Sequence, residues 1–311
     1  MEIIPYTRAR LAELTRGSIT VLDHCGVFSI EGKGALDCLQ GIVTVDVQKP
    51  PTGSLLYGAF LGSKGAIIVD GWIVKLADRF LVVIDSTGRV ALGELLRRQL
   101  PPRLAKATDR SDELRVAWML GSRGHFVTPA PFPGLPNPGQ VAALSEAGEE
   151  SYLAGGSDVA PFAGLWIGVT ANAPSPATGT RADLRAARVL AGCPTLGAEI
   201  EEKTLPQEAD FDRLEGISYS KGCYVGQETV ARIHFRGHPN WILRGFRSPV
   251  TPTEAAIANG GKLVTTLKTM LRFEDGSVVG LASVRREINP GDRLGGDPAG
   301  ITVQELPQRV G

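Results

Sequence analysis

Ser220-Lys221-Gly222-Cys223-Tyr224-Val225-Gly226-Gln227-Glu228-Thr229-Val230-Ala231-Arg232, with Leu205-Pro206-Gln207-Glu208 a short way upstream, departs most from ordinary globular composition. Gly222 and Gly226 flank a cysteine, and glycine lets a backbone turn sharply and come close to a ligand or another chain. After Gly226, the run Gln227 to Ile233 has good helical propensity, which predicts a short helix. Cys223 then lies near a positive helix end and two residues from Lys221, and both features favour the thiolate. The same spacing also suits a buried turn cysteine with Lys221 in solvent, and spacing does not choose between the two.

Outward from this stretch, Arg181 to Ala191 is the best-marked helix. Thr180 with Asp183 three residues on makes a capping box, Leu184, Ala187 and Leu190 share a face, and Gly192 and Pro194 end it. Nearer the amino end, Ser18 to Leu22, Gly26 to Ile30, Leu55 to Leu61, Ala66 to Lys75 and Arg79 to Asp85 read as strands, with helical spacing at Gly34 to Gly41 and Gly88 to Leu100. Five prolines between Phe126 and Gly139 predict a surface loop. Beyond Phe246, strand-like runs at Lys262 to Leu267 and Ser277 to Ser283, separated by turn signals, fit a small β-barrel. An α+β chain follows, with one domain over 1–240 and a second over 241–311.

Composition narrows the function classes. Of 311 residues, 33 are Lys or Arg and 33 are Asp or Glu, so the formal net charge is zero. No whole-chain attraction to nucleic acid or anionic membrane is expected, although a local basic patch fits inside a neutral total. Runs such as Phe80 to Ile84 fall far short of the ~20 apolar residues that cross a bilayer. The start, Met1 to Tyr6, lacks the basic-then-apolar order of a signal peptide, and a cytoplasmic setting is expected. Cys25, Cys38, Cys193 and Cys223 form no CxxC or Cys/His pair of the kind a zinc site needs. Three of them read as small buried hydrophobes, with Cys223 the exception.

Lys221 to Glu228 resembles the signature K-G-C-[FY]-x-G-Q-E of the YgfZ-type folate-binding proteins, relatives of the glycine-cleavage T-protein, the tetrahydrofolate-dependent aminomethyltransferase. Arg188 to Gly192 with Gly197-Ala198-Glu199-Ile200 resembles that family's R-x-x-x-G-x-P-x-x-G-x-E segment, and Pro206 to Glu208 its P-x-E. Leu39-Gln40-Gly41-Ile42-Val43-Thr44-Val45-Asp46-Val47 resembles its F-L-Q-G-x-x-T-x-D-V block. The resemblance implies two mixed α/β lobes and a carboxy-terminal β-barrel around a central folate cleft. It implies a tetrahydrofolate-binding accessory protein that supports iron–sulfur cluster assembly or repair, and thereby tRNA modification. Iron–sulfur assembly proteins or client enzymes would be the partners, with no direct contact to nucleic acid or membrane. In that frame Cys223 is the acting residue with Lys221 beside it, and Glu208, Tyr224, Gly226, Gln227, Arg232, Arg236 and Asp70 line the folate.

The alternative is a one-carbon transferase, which needs an acid near the folate nitrogen. The T-protein supplies acids in an N-x-x-G-G-x-x-D-D-like turn and an L-R-x-E-x-G helix. Here Val69 stands where the first Asp falls, Leu190 stands where the Glu falls, and Asp70 survives. Among the other candidates, Glu208 and Glu199 suit the amino-pyrimidine edge of a pterin or plain solvation, and Arg232 and Arg236 suit the folate glutamate tail or plain exposure. Lone aromatics such as Tyr224 and Trp241 more often pack than stack.

Overall fold

The computed structural model describes residues 1–122, 128, 132, 134–144, 150–259, 261–296 and 300–308. Much of the proline-rich stretch, Pro129, Pro131 and Pro133 included, lies outside these residues. The chain opens with β1 (Glu2–Pro5), α1 (Arg8–Arg16), β2 (Ile19–Asp23), β3 (Gly26–Glu31), α2 (Ala35–Gln40), β4 (Ser54–Leu61), β5 (Ile67–Lys75) and β6 (Arg79–Ile84). It continues with α3 (Arg89–Gln99), β7 (Lys106–Asp109), β8 (Leu114–Leu120), β9 (Val141–Ala143), β10 (Ser151–Gly155), β11 (Gly164–Val169), α4 (Arg181–Ala191) and α5 (Gln227–Arg236). Last come β12 (Trp241–Ser248), β13 (Ala256–Asn259), β14 (Lys262–Arg272), β15 (Val278–Arg285), β16 (Arg293–Leu294) and β17 (Ile301–Gln304). The helices expected at 34–41, 88–100 and 181–191 are α2, α3 and α4, and the helix after Gly226 runs one turn further than its propensity indicated.

Three sheets form. Two have five strands, in the orders β2-β8-β11-β10-β9 and β4-β5-β6-β3-β7, and the third has the order β1-β14-β15-β12-β17-β16 with β13 also on β14. In β6, Leu81 and Val83 enter the central core shared by all three sheets, whereas Phe80, Val82 and Ile84 enter a second core under α2 and α3. A strand covered on both faces reads as a continuous apolar run, as 80–84 does. α4 packs against β2, β8, β14 and β15, at the junction of two sheets.

The mixed α/β lobes match expectation, but the closed carboxy-terminal barrel is not confirmed. Among the described residues the third sheet is an open path, with β1 at one end and β16 at the other. Turn spacing reports how many strands there are, whereas closure depends on tilt and stagger, which spacing does not encode. The first strand joins this last sheet: β1 lies parallel on β14, with Glu2 opposite Thr269 and Pro5 opposite Arg272.

Candidate functional site

The signature loop is held by segments far away in sequence. Lys221 is buried, and its Nζ donates to the carbonyls of Val43 (2.7 Å) and Val45 (2.9 Å). The Val225 amide donates to Gly41 O, and the Ser218 amide to Thr44 O. The block 39–47 thus forms the floor of the loop. Gln40 shapes this floor in turn, accepting from the Val47 amide and donating to Asp46. Gln207 Nε2 donates to Val230 O at 2.8 Å and ties the Pro-Gln-Glu segment to α5.

Gly226 explains itself by geometry. Its φ of 79° is left-handed, and a Cβ there would lie 2.6 Å from Gly62 O. It abuts the 62–65 turn, where Gly65 at φ 85° leaves no room for a Cβ beside Thr229. Only glycine meets both demands. Gln227 folds back and accepts the Tyr224 amide through Oε1 (3.2 Å). Tyr224 is buried in the central core, its hydroxyl is buried without a hydrogen-bond partner, and burial pushes it up to about 12. Most of the signature is therefore scaffold.

Cys223 is exposed; Cys25 and Cys193 are buried and Cys38 is half-buried. The exposed ammonium expected beside Cys223 is absent, because burial, only partly offset by Asp46, brings Lys221 down to about 8 and its donors face two carbonyls.

Asp70 lies elsewhere, in the buried centre. It accepts from Tyr57 Oη (2.7 Å) and lies 3.6 Å from Arg188 Nη2. Burial pushes its carboxyl up, against the pull of Arg188 and Tyr57. The chamber it shares with Cys25, Trp72, Asp85, Trp118 and Arg188 has about 20 Å³ of free space, room for about one water. The rings of Tyr57, Trp72, Phe162 and Trp118 fill the surroundings in successive contacts of 4.7–5.1 Å. Glu208 accepts the Leu205 amide, burial pushes its carboxyl up, and it meets Glu199, Trp241 and Lys268 at a cleft of about 220 Å³. Arg232 and Arg236 stand exposed on α5. The nine residues predicted as a site thus fall into four places.

A pterin does not fit the Asp70 chamber. A cleft of about 650 Å³ next to Phe162 is within the range of small-ligand sites. Its walls include Leu14, Phe162, Ala187 and Leu190, the last standing where the T-protein-like helix has an acid. Gln308 also lines it; its Nε2 donates to Val189 O and Gly280 O, and its buried Oε1 has no partner. That oxygen is packed against Gly245 and sealed from solvent, so what the cleft offers a flat ligand is its apolar walls. Sequence reasoning missed this cleft, since Gln308 carries no motif. Among the described residues no three His, Cys, Asp or Glu side chains gather into a metal-holding group, and no helix is long and apolar enough to cross a membrane.

Three packed sheets, with α4 at the junction of two of them, make up a fold shared with a solved aminomethyltransferase. The glycine cleavage system aminomethyltransferase T from Bartonella henselae superposes with a TM-score of 0.76 over 98% of this chain and 91% of its own, at 16% identity. Residues 10–125 match the GCVT N-terminal domain. In sequence the chain resembles the tRNA-modifying protein YgfZ along its length. It is 25% identical over 306 residues to that of Escherichia coli O157:H7, covering 93% of each chain, and 26% identical over 308 residues to that of Shigella boydii serotype 4, again covering 93% of each.

Proposed function

We propose that this chain is a tetrahydrofolate-binding accessory protein that supports tRNA modification through the upkeep of iron–sulfur clusters, with Cys223 as its acting thiol. The observation that carries the reading is the construction of the signature loop: buried Lys221, Tyr224 and Gln207 and two close-packed glycines support a loop whose single sulfur is exposed. The relatives' role in tRNA modification and the T-protein-like fold support it. Folate, which supplies a one-carbon carrier when bound, would lie in the 650 Å³ cleft, with Phe162 and Leu190 as walls. Cys223 would meet a cluster or a client thiol only in passing, because one cysteine is far from the usual four ligands. Lys221 is then a positioning residue. Aminomethyl transfer has less support: Asp70 is engaged by Tyr57 and Arg188, and Leu190 replaces the helix acid.

Two measurements test the reading. Tetrahydrofolate at ~100 times its dissociation constant should stabilise the fold by about 2.7 kcal/mol, and filling the cleft with Ala191→Trp should remove that shift while the unliganded protein stays folded. Cys223→Ala should fail in a cellular assay of an iron–sulfur-dependent tRNA modification yet keep the folate-induced shift. No shift in the wild type overturns the folate half, and full complementation by Cys223→Ala overturns the thiol half.

A further inference from the structure

The α5 surface beside the signature loop combines features that neither folate nor thiol chemistry uses. Arg232, Phe235 and Arg236 are three and four residues apart and therefore share one helix face. All three are exposed, Phe235 at 66%. Among the described residues neither arginine takes part in an ion pair or a side-chain hydrogen bond, unlike Arg185, Arg188 and Arg213, which hold carboxylates or carbonyls. Glu228, one turn earlier on the same stripe, is the carboxylate closest in sequence and makes no ion pair with Arg232. Next to the stripe, His234 stacks on Tyr219 with centroids 3.6 Å apart and planes at 14°, and Phe235 meets His234 edge-on at 4.7 Å. Tyr219 is anchored, its hydroxyl donating to Asp212 Oδ1 at 2.6 Å.

We infer that this face of α5 binds a single-stranded segment of RNA. Two free guanidiniums one turn apart match successive backbone phosphates, and an exposed phenyl ring beside a fixed His–Tyr stack offers the flat faces on which unpaired bases stack. An acidic peptide would use the arginines but leave the rings idle. One exposed Phe is also too little apolar area for a stable protein interface. Duplex RNA hides its base faces, so the site selects loops and ends. The inference stands apart from the folate reading, since none of these residues lines the 650 Å³ cleft.

The test uses the full chain and a labelled RNA hairpin with a seven-nucleotide loop, read by fluorescence anisotropy at several salt concentrations. Wild type should bind it in preference to a blunt duplex of equal length. Phe235→Ala should weaken binding on the order of tenfold, the effect of removing one stacking ring. Arg232→Ala with Arg236→Ala should weaken it and flatten the salt dependence by about 1.4 in log–log slope, at about 0.7 per phosphate contact. Arg97→Ala with Arg98→Ala, which removes two exposed arginines of α3, should leave affinity unchanged, and circular dichroism should show all variants folded. The inference is overturned if duplex binds as well as hairpin, if the α3 pair matters as much as the α5 pair, or if poly-glutamate displaces RNA at equal charge.

Discussion

Cys223 and Lys221 are two residues apart in the chain and in opposite surroundings, so each has its own test. Iodoacetamide at neutral pH should label Cys223 first, Cys38 more slowly, and Cys25 and Cys193 only on unfolding, because burial pushes the Cys193 thiol up to about 11 and also raises that of Cys25 well above its ordinary value. Peptide mass spectrometry gives the order site by site, and equal labelling of Cys223 and Cys193 would contradict it. Lys221→Met should act on stability instead. Two buried carbonyls lose their donor, at a cost of about 1–3 kcal/mol. Its pH dependence has a definite sign. The folded-state pKa of about 8 lies below the ordinary 10.5, so between these values the unfolded chain holds more protons and wild-type stability rises with pH. Urea unfolding at pH 7.5 and 9.5 should show this rise in wild type relative to Lys221→Met; a constant difference between the two proteins would refute it.

At the scale of elements, α4 was the most legible part of the sequence and also the most firmly tied. Its capping box is present: Asp183 Oδ2 accepts from both the Thr180 amide and Oγ1. The same carboxylate also accepts from Tyr6 Oη and Arg10 Nε, on the chain leading into and through α1. That second role was illegible, since Arg10 lies 173 residues away. Burial raises this carboxyl, but hydrogen bonds from Arg10, Tyr6 and Thr180 prevail and bring it down to about 2. Stability from a depressed carboxyl is present above its unfolded pKa near 4 and is lost as pH falls towards 2. Asp183→Asn should therefore cost about 1–2 kcal/mol at pH 7, after discounting for solvent screening, and close to nothing at pH 2. A cost independent of pH would show that packing, not charge, is what Asp183 supplies. The signature shows the same division between local and distant. Its residue types were legible, and a turn at Gly226 followed from them, but the scaffold role of Lys221 depends on carbonyls 176 and 178 residues away.

At the scale of the whole molecule, the carboxy-terminal sheet is stitched to the rest of the chain from both sides. β1 supplies a parallel strand to β14, the Tyr6 amide donates to Arg272 O, and the Gln308 amide donates to Leu190 O at the end of α4. Nothing in Met1 to Tyr6 announces a strand, because its partner is some 267 residues away and an edge strand of four residues carries little pattern. The reading of 1–240 and 241–311 as two domains therefore leads to a specific expectation. If β1 carries the coupling, the full chain should unfold in one calorimetric transition, and removing residues 1–6 should split it in two. The deletion takes away the buried side chains of Ile4 and Tyr6, worth roughly 1.5–3 kcal/mol each. It also removes a ladder of backbone hydrogen bonds, so the transition of the carboxy-terminal part should move down by several degrees at least. Tyr6→Phe keeps β1 and removes only the hydroxyl bonded to Asp183, so it should lower the single transition without splitting it. Two transitions in the intact chain, or one in the truncated chain, would show that the sheet's cohesion with the rest comes from α4 and not from the first strand.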